Sequence, residues 1–384
     1  MGGTKINQSK KIVFINQATG YLTIDVINAF AREYQEVGLI CGSIRVQDVE
    51  LHEKVVVSQI SLYDRGSNRR KAISWMIGTI QIYWLLLTKY RNYEVFYYTI
   101  PPTAYLLSLL FKSPYCIMIY DLFPDALKIR GHSEKGFLYS WWAGKNLKVF
   151  SKARKIITLS EQLKKDVMKY APEARVEVIP NWSAFTGRVP VAKEANNIIL
   201  REGLTGKFIV QYSGNIGVTH NVEAVVEVAE SLKEYPDIDF LIIGRGERKN
   251  VIEELIVKKN LKNCKLLPFR KDEELYESLC VPDIAVVTLD DRVPDISVPS
   301  KTYNILTASV PILAIASKKS SVSELINQHK VGRTFEKNEV ESMKEFILTL
   351  KNDKNLRAVY KENALLAAQD YTSNNAYEIY KRCM

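Results

Sequence analysis

Metal-ligand patterns are missing from this chain. Its five cysteines, Cys41, Cys116, Cys264, Cys280 and Cys383, lie far apart in 384 residues, with no CxxC and no Cys/His pairing at ligand spacing. That speaks against zinc, and scattered single thiols fit a reducing cytoplasm. The opening MGGTKINQSKK is polar and runs straight into a strand, so it lacks the apolar core of a signal peptide. It also lacks the Ser/Thr of a myristoylation signal. The apolar run Ala72 to Thr88 has 17 residues with Ser, Thr and Gln inside, the short limit for a spanning helix, which needs ~20. There is no zinc-finger spacing and no RRM-type aromatic strand, so nothing marks a nucleic-acid partner. IIGRGER (242–248) is GxG without a third glycine and makes a weak dinucleotide fingerprint.

What is present is a globular composition, with 47% hydrophobic and 25% charged residues. The length predicts two domains, because single cores stop growing at ~250–300 residues. The net charge of +10 is lopsided: residues 1–185 carry 25 cations against 15 anions, and residues 186–384 carry 28 of each. An excess of this kind fits a unit that rests on an anionic membrane. Two segments of that half mix cations with apolar residues. RGSNRRKAISWMIGTIQIYWLLLTKYR (65–91) sets Arg65, Arg69, Arg70 and Lys71 before the apolar run. It predicts a helix packed on a sheet with its basic end near a bilayer. KGFLYSWWAGKNLKVFSKARK (135–155) interleaves aromatics with lysines and fits either an interfacial helix or a buried one with a solvated face.

The first half alternates strands and helices. KIVFIN (11–16) opens it, an amphipathic helix from about Leu22 to Glu36 follows, and GLIC, KVVVSQI, VFYYTI, YCIMIY and KIITLS read as further strands. Short apolar strands alternating with helices imply a parallel sheet covered on both faces, with ligands beyond the strands' carboxyl ends. Gly20 follows the first strand; it is placed to approach a ligand or simply to turn the chain. Asp121 and Asp125 of YDLFPDALKIRGH (120–132) sit past another strand end, where Asp121 could hold a sugar hydroxyl, take its proton, or cap a turn. Arg130 and His132 could meet a phosphate or merely be exposed. A linker is expected over 176–197. A second alternation starts at Lys207, and the last helix, about Ser373–Arg382, could pack back on the first domain.

Four loops of the second half carry small, polar or basic residues at successive strand ends. SGNIGVTHN (213–221) offers Gly214 and Gly217 for close backbone approach, with Asn215 and His220 beside them. Gly244 belongs to the second loop, and LLPFRKDEEL (266–275) adds Phe269, Arg270 and Lys271. SVPSKTYNILTASVPILAIA (297–316) reads as a turn ending at Pro299, a helix from Ser300 to about Thr307, and a buried strand from Pro311 to Ile315. Ser300 would cap that helix or sit in its first turn, and Lys301 sets a cation beside unpartnered amides. Locally this is either an ordinary strand-to-helix joint or a site for a phosphate or diphosphate. Convergence of the four loops favours a nucleotide diphosphate.

YSGNIG, IIGRGE, LLPF and SVPSKTYNILTASVPILA resemble, in order and spacing, the donor-binding loops of the family 4 glycosyltransferases. YDLFPD and IPNW resemble weaker markers of the acceptor domain, so the likeness covers essentially the whole chain. It implies the GT-B fold: two Rossmann-like doubly wound α/β domains facing across a cleft. Residues 1–183 would be the acceptor domain, joined by the helix over 373–384, and residues 184–372 the donor domain. The nearest likeness is to bacterial enzymes that build capsule, O-antigen or other surface polysaccharide on a lipid carrier. The implied activity is retaining transfer of a hexosyl or N-acetylhexosaminyl group, without a metal, from a nucleotide sugar, expected to be UDP-linked, to a lipid-linked saccharide at the cytoplasmic face of the membrane. On matching positions, Gly214, Asn215, Gly217 and His220 would line the donor diphosphate, with Gly244 in the adjoining loop. Ser300 and Lys301 would grip the diphosphate. Arg270 and Phe269 would flank base and phosphates, Gly20 would face the donor, and Asp121 would lie toward the acceptor. Asp121, Lys301 and Arg270 are the catalytic candidates.

The chain departs from that pattern in three places. Two family glutamates eight positions apart are here Ile296 and Asn304, although a PSK-bearing subset also lacks the later one. Asn304 can bond a ribose hydroxyl. The basic pair of the first loop is absent, with Asn215 and His220 in its stead. The family's AAG is Ala308, Ser309, Val310. Competing readings are a 2-epimerase of the same fold, which needs cleft carboxylates, and a degenerate partner subunit. A metal-dependent transferase of the other common fold would need Asp-x-Asp past a strand. Asp237-x-Asp239 precedes one, and Asp290–Asp291 lacks the spacer.

Overall fold

A computed structural model of the chain describes residues 10–64, 66–130, 136–217, 220–290 and 298–384, the side chains of 128–130 excepted. Arg65, Lys135, His132 and Ile296, and the side chain of Arg130, lie outside the described residues. The chain divides into two compact units, one of residues Met1–Ala184 with Ser373–Met384, the other of Phe185–Thr372.

The first unit is built on seven strands: β1 (Lys11–Ile15), β2 (Glu36–Cys41), β3 (Val55–Gln59), β4 (Glu94–Tyr98), β5 (Tyr115–Ile119), β6 (Lys155–Thr158) and β7 (Val176–Val178). All pairings are parallel, in the order β3-β2-β1-β4-β5-β6-β7. Helix α1 (Tyr21–Ala31) buries Ile24, Ile27, Phe30 and Ala31, a row at helical spacing. The apolar pattern predicted this helix as far as Glu36, but it ends at Ala31. Glu36 instead opens β2 in register with Lys11, and their side chains pair at 2.6 Å. Parallel pairing of EVGLIC beside β1 outweighs the helical propensity of one glutamate. The core is aromatic: Phe14 stacks on Phe96 at 5.1 Å and Phe30 meets Phe14 edge-on at 5.2 Å.

Helix α2 (Asn68–Leu87) lies in the segment read as a helix. Its covered face is the row Ser74, Gly78, Ile82 and Leu86. Small residues let this row approach closely: Gln17 Nε2 donates to the Ser74 carbonyl at 3.0 Å, and a Cβ at Gly78 would lie 2.7 Å from that same nitrogen. Ile73, Met76, Ile77, Ile80, Trp84 and Leu87 of α2 are left outside. Helix α3 (Phe137–Lys152) buries Trp142, Asn146, Val149 and Phe150 and exposes Phe137, Leu138 and Trp141.

Among the described residues the second unit has a six-stranded sheet: β8 (Phe208–Asn215), β9 (Ile238–Arg245), β10 (Cys264–Leu267), β11 (Ile284–Thr288), β12 (Ile312–Ile315) and β13 (Gly332–Phe335). They run parallel in the order β10-β9-β8-β11-β12-β13, the doubly wound order whose direction reverses between β8 and β11. The strands read as near-continuous apolar runs because helices cover both faces. Helix α4 (Ser300–Thr307) lies between β11 and β12. The chain then returns to the first unit as α5 (Asn374–Cys383), which lies against α1, buries Ala376, Ile379 and Cys383, and sets Tyr380 edge-on to Phe30 at 5.1 Å.

Candidate functional site

In the second unit, β8 and β9 stay paired to their last residues, Gly214 with Gly244 and Asn215 with Arg245. Only glycine allows this at 244, where a Cβ would stand 2.2 Å from the Gly214 carbonyl oxygen and 2.9 Å from Ile216 Cγ1. The pair therefore delivers the loop after β8 to the point where strand order reverses, the usual ligand position in an open parallel sheet. Gly214 has φ +156, and a Cβ there would touch Lys301 Cδ and Nζ at 3.5 Å. Gly217 is tighter: a Cβ would meet Asn215 Nδ2 at 2.7 Å and His220 Nδ1 at 3.6 Å. Gly214, Asn215, Gly217, His220 and Lys301 are thus brought together, four on the loop and one on the first turn of α4.

Tyr212 forms the floor. Its hydroxyl donates to the Asn215 carbonyl at 2.6 Å, which fixes the loop. The Lys301 Nζ sits 4.0 Å from the centroid of its ring. Lys301 as a whole keeps some exposure, but its Nζ is buried and has no hydrogen-bond partner among the described residues. Burial pushes this ammonium down to about 7, from an ordinary 10.5. The tyrosine face offsets part of that penalty. Burial, with the Lys301 charge added, lowers His220 to about 4, so its imidazole is neutral. The His220 backbone is held on both sides: its N–H donates to Gly217 at 3.1 Å and its carbonyl accepts from the Thr288 hydroxyl.

Ser300 opens α4 but does not cap it. The cap position is Pro299, whose side chain makes no cap hydrogen bond. Ser300 is exposed, and Asn304 is half-buried one turn further on. Phe269 is half-buried beyond β10, with the Arg245 guanidinium over its ring at 5.0 Å. Arg270, only 8% exposed, gives Nη2 to Glu202 at 2.8 Å, so its charge is already answered inside the unit. Gly20 and Asp121 belong to the first unit. Gly20 is extended, at the cap position of α1, and a Cβ there would meet open space. Asp121 is exposed beyond β5; its amide points to Thr99 Oγ1 at 3.4 Å, just before the cis peptide of Phe123–Pro124. Sequence reasoning missed Tyr212 and Arg245. An aromatic two residues before a glycine that ends a strand was the available signal for Tyr212.

Residues 197–366 match the model of the family described as glycosyl transferases group 1. A probable glycosyltransferase of Pseudomonas aeruginosa, WbjE, is 25% identical over 223 residues, 56% of this chain and 54% of that protein. WcaI of Escherichia coli K12, a putative colanic acid biosynthesis glycosyl transferase, is 30% identical over 174 residues, 44% of this chain and 42% of its own length. The chain thus spans about half the length of the curated relatives it matches. Among solved structures, Anabaena HepE in complex with UDP and glucose is similar with a TM-score of 0.71 at 14% identity, over 97% of this chain and 98% of that one. The fold is GT-B, with two Rossmann-like α/β units.

Proposed function

We propose that this chain, whose residues 197–366 match the group 1 glycosyl transferase model, is a retaining glycosyltransferase that moves a sugar from a UDP-linked donor to a lipid-linked saccharide. The relatives' names and the UDP and glucose held by HepE support that reading and its setting in surface polysaccharide assembly, such as capsule or O-antigen. The observation that carries it is Lys301: a buried Nζ with no hydrogen-bond partner among the described residues, beside a two-glycine loop at a sheet's reversal point. A cation is costly there unless an anion arrives to meet it.

In the proposed reaction the bond from the sugar's C1 to the diphosphate breaks while the acceptor oxygen bonds to the same face of C1. The acceptor's proton goes to the departing phosphate. Lys301 and the amides of Gly214 and Gly217 stabilise the leaving charge, and preorganised groups of this kind lower a barrier more than any other device a site has. The scheme uses no metal ion. Ser300 and Asn304 hold the phosphate and ribose, and Gly244 keeps the loop in place. Phe269 flanks the base, and Arg270, steadied by Glu202, supports that loop. In the first unit, Gly20 approaches the donor and Asp121 orients the acceptor hydroxyl. The basic first unit rests on the anionic cytoplasmic face of the membrane, where a lipid-linked acceptor is presented; the scheme has no nucleic-acid partner.

The test is a set of nucleotide sugars screened by thermal shift, since a ligand of the native state raises apparent stability, then transfer to a lipid-linked saccharide. A UDP-sugar that stabilises the protein and is consumed with retained anomeric configuration is expected. An altered sugar without acceptor would replace this reading with epimerisation, and binding without turnover would replace it with a partner-subunit role.

A further inference from the structure

Helix α2 carries a second apolar stripe that the fold does not use. Ile73, Met76, Ile77, Ile80, Trp84 and Leu87 are all exposed, with Met76 and Trp84 at 58% and Ile80 at 52%. At 3.6 residues per turn these six fall within an arc of about 100°, opposite the covered row Ser74, Gly78, Ile82 and Leu86. A helix apolar on both faces is normally buried on both. This one shows solvent a continuous ridge along its length of about 30 Å.

Charge says what covers it. Arg69 and Arg70, both exposed, sit at the amino end of the ridge, and neither α2 nor α3 holds a carboxylate. Helix α3 adds Phe137 at 85% exposure, then Trp141 with the Lys145 ammonium 5.9 Å from its ring centroid. The two helices meet around one side chain: Phe123 packs edge-on to Trp75 of α2 and stacks on Trp142 of α3. A second copy of this chain presenting the same two helices would bring no helix carboxylate to answer the arginines. A bilayer of anionic lipids supplies both hydrocarbon and phosphate. No described helix is long and apolar enough to cross a membrane.

We infer that α2 is an insertion helix that lies flat in the surface of an anionic bilayer, with Ile73, Met76, Ile77, Ile80, Trp84 and Leu87 in the acyl boundary and Arg69 and Arg70 at the phosphates. This goes beyond electrostatic contact by the basic unit, because insertion adds a salt-resistant component. The test uses the full chain with vesicles of phosphatidylcholine mixed with phosphatidylglycerol. Wild-type protein is expected to stay bound in high salt and to shift its tryptophan emission to the blue. Met76→Ser, Ile80→Ser and Trp84→Ser together are expected to weaken binding at least about tenfold and to abolish binding in high salt, with melting temperature unchanged because these side chains are more than half exposed. Arg69→Gln with Arg70→Gln is expected to bind anionic vesicles more weakly at low salt while keeping its emission shift at high lipid. Complete release of wild type by salt, equal binding by the serine variant, or a wild-type dimer that the serine variant dissolves would each overturn the inference. Thermal shift with UDP-sugars, run on the same variants, reads the donor site separately, so failure here leaves the transferase reading intact.

Discussion

Donor binding is expected to take up a proton, and Lys301 is where it goes. With its ammonium pushed down to about 7, roughly half of the donor-free protein carries a neutral amine at pH 7. The depression from 10.5 represents on the order of 5 kcal/mol withheld from the charged form. A diphosphate at Nζ restores that stabilisation and raises the ionisation again. Calorimetric titration of a nucleotide sugar in buffers of different ionisation enthalpy should then find almost no uptake at pH 6, about half a proton at pH 7 and about nine-tenths at pH 8. Affinity should weaken as pH rises through 7, approaching a tenfold loss for each further pH unit. The donor-free protein should move the other way. Its folded state gives up this proton near pH 7 and the unfolded chain only near 10.5, so stability rises with pH across that window. Lys301→Met should remove the uptake, cost a charge-assisted contact of about 1.5–3 kcal/mol in donor affinity, and raise the melting temperature of the free protein. No uptake by wild type at pH 8 would refute the assignment. Uptake retained by Lys301→Met would move the titrating group to His220.

Gly244→Ala should lower stability by about 1–3 kcal/mol, read as a fall in melting temperature, because its Cβ would stand 2.2 Å from the Gly214 carbonyl oxygen; unchanged melting would mean the strand ends separate freely. Arg270→Ala leaves Glu202 without its 2.8 Å partner and should cost about 2 kcal/mol; intact stability with lost donor affinity would instead put that guanidinium on the donor. Asp25, raised to about 6 by burial, accepts the Trp182 indole N–H at 2.7 Å. Its contribution is full below 3.8 and is lost as pH rises through 6, a swing on the order of 3 kcal/mol, so Asp25→Asn should gain on wild type in melting temperature from pH 4 to pH 8. A flat difference between the two would show that Asp25 ionises normally.

Much of the fold was legible because each strand is a short apolar run ended by glycine, proline or a polar residue, and parallel pairing demands just that pattern. The boundary at Ala31 was misread because Arg32 and Glu33 continue a helical pattern locally, and only the pairing of Glu36 with Lys11 ends it. For helix α2 the sequence predicted the helix but not its covered face. Its two faces are alike in polarity, so hydrophobicity could not say which would be covered. The choice falls to side-chain size, since the row of Ser74 and Gly78 comes close to Gln17 and bulkier residues cannot.

The donor-side loops were readable as glycines at strand ends, but their electrostatics were not. The likeness to other enzymes led one to expect a basic pair in the first loop, and the chain offers Asn215 and His220. The structure supplies a physical reason why Lys301 can suffice. Its Nζ lies over Tyr212 in a pocket dry enough to bring it to about 7 and His220 to about 4. A second or third cation there would repel the first and lower it further. One buried lysine is close to the most positive charge this site can hold empty, and on the proposed reading its charge becomes complete only when a diphosphate arrives. That makes the ammonium strong toward an anion and weak without one; in the proposed reaction it would accelerate transfer only to the extent that the charge developing on the departing diphosphate strengthens the contact further.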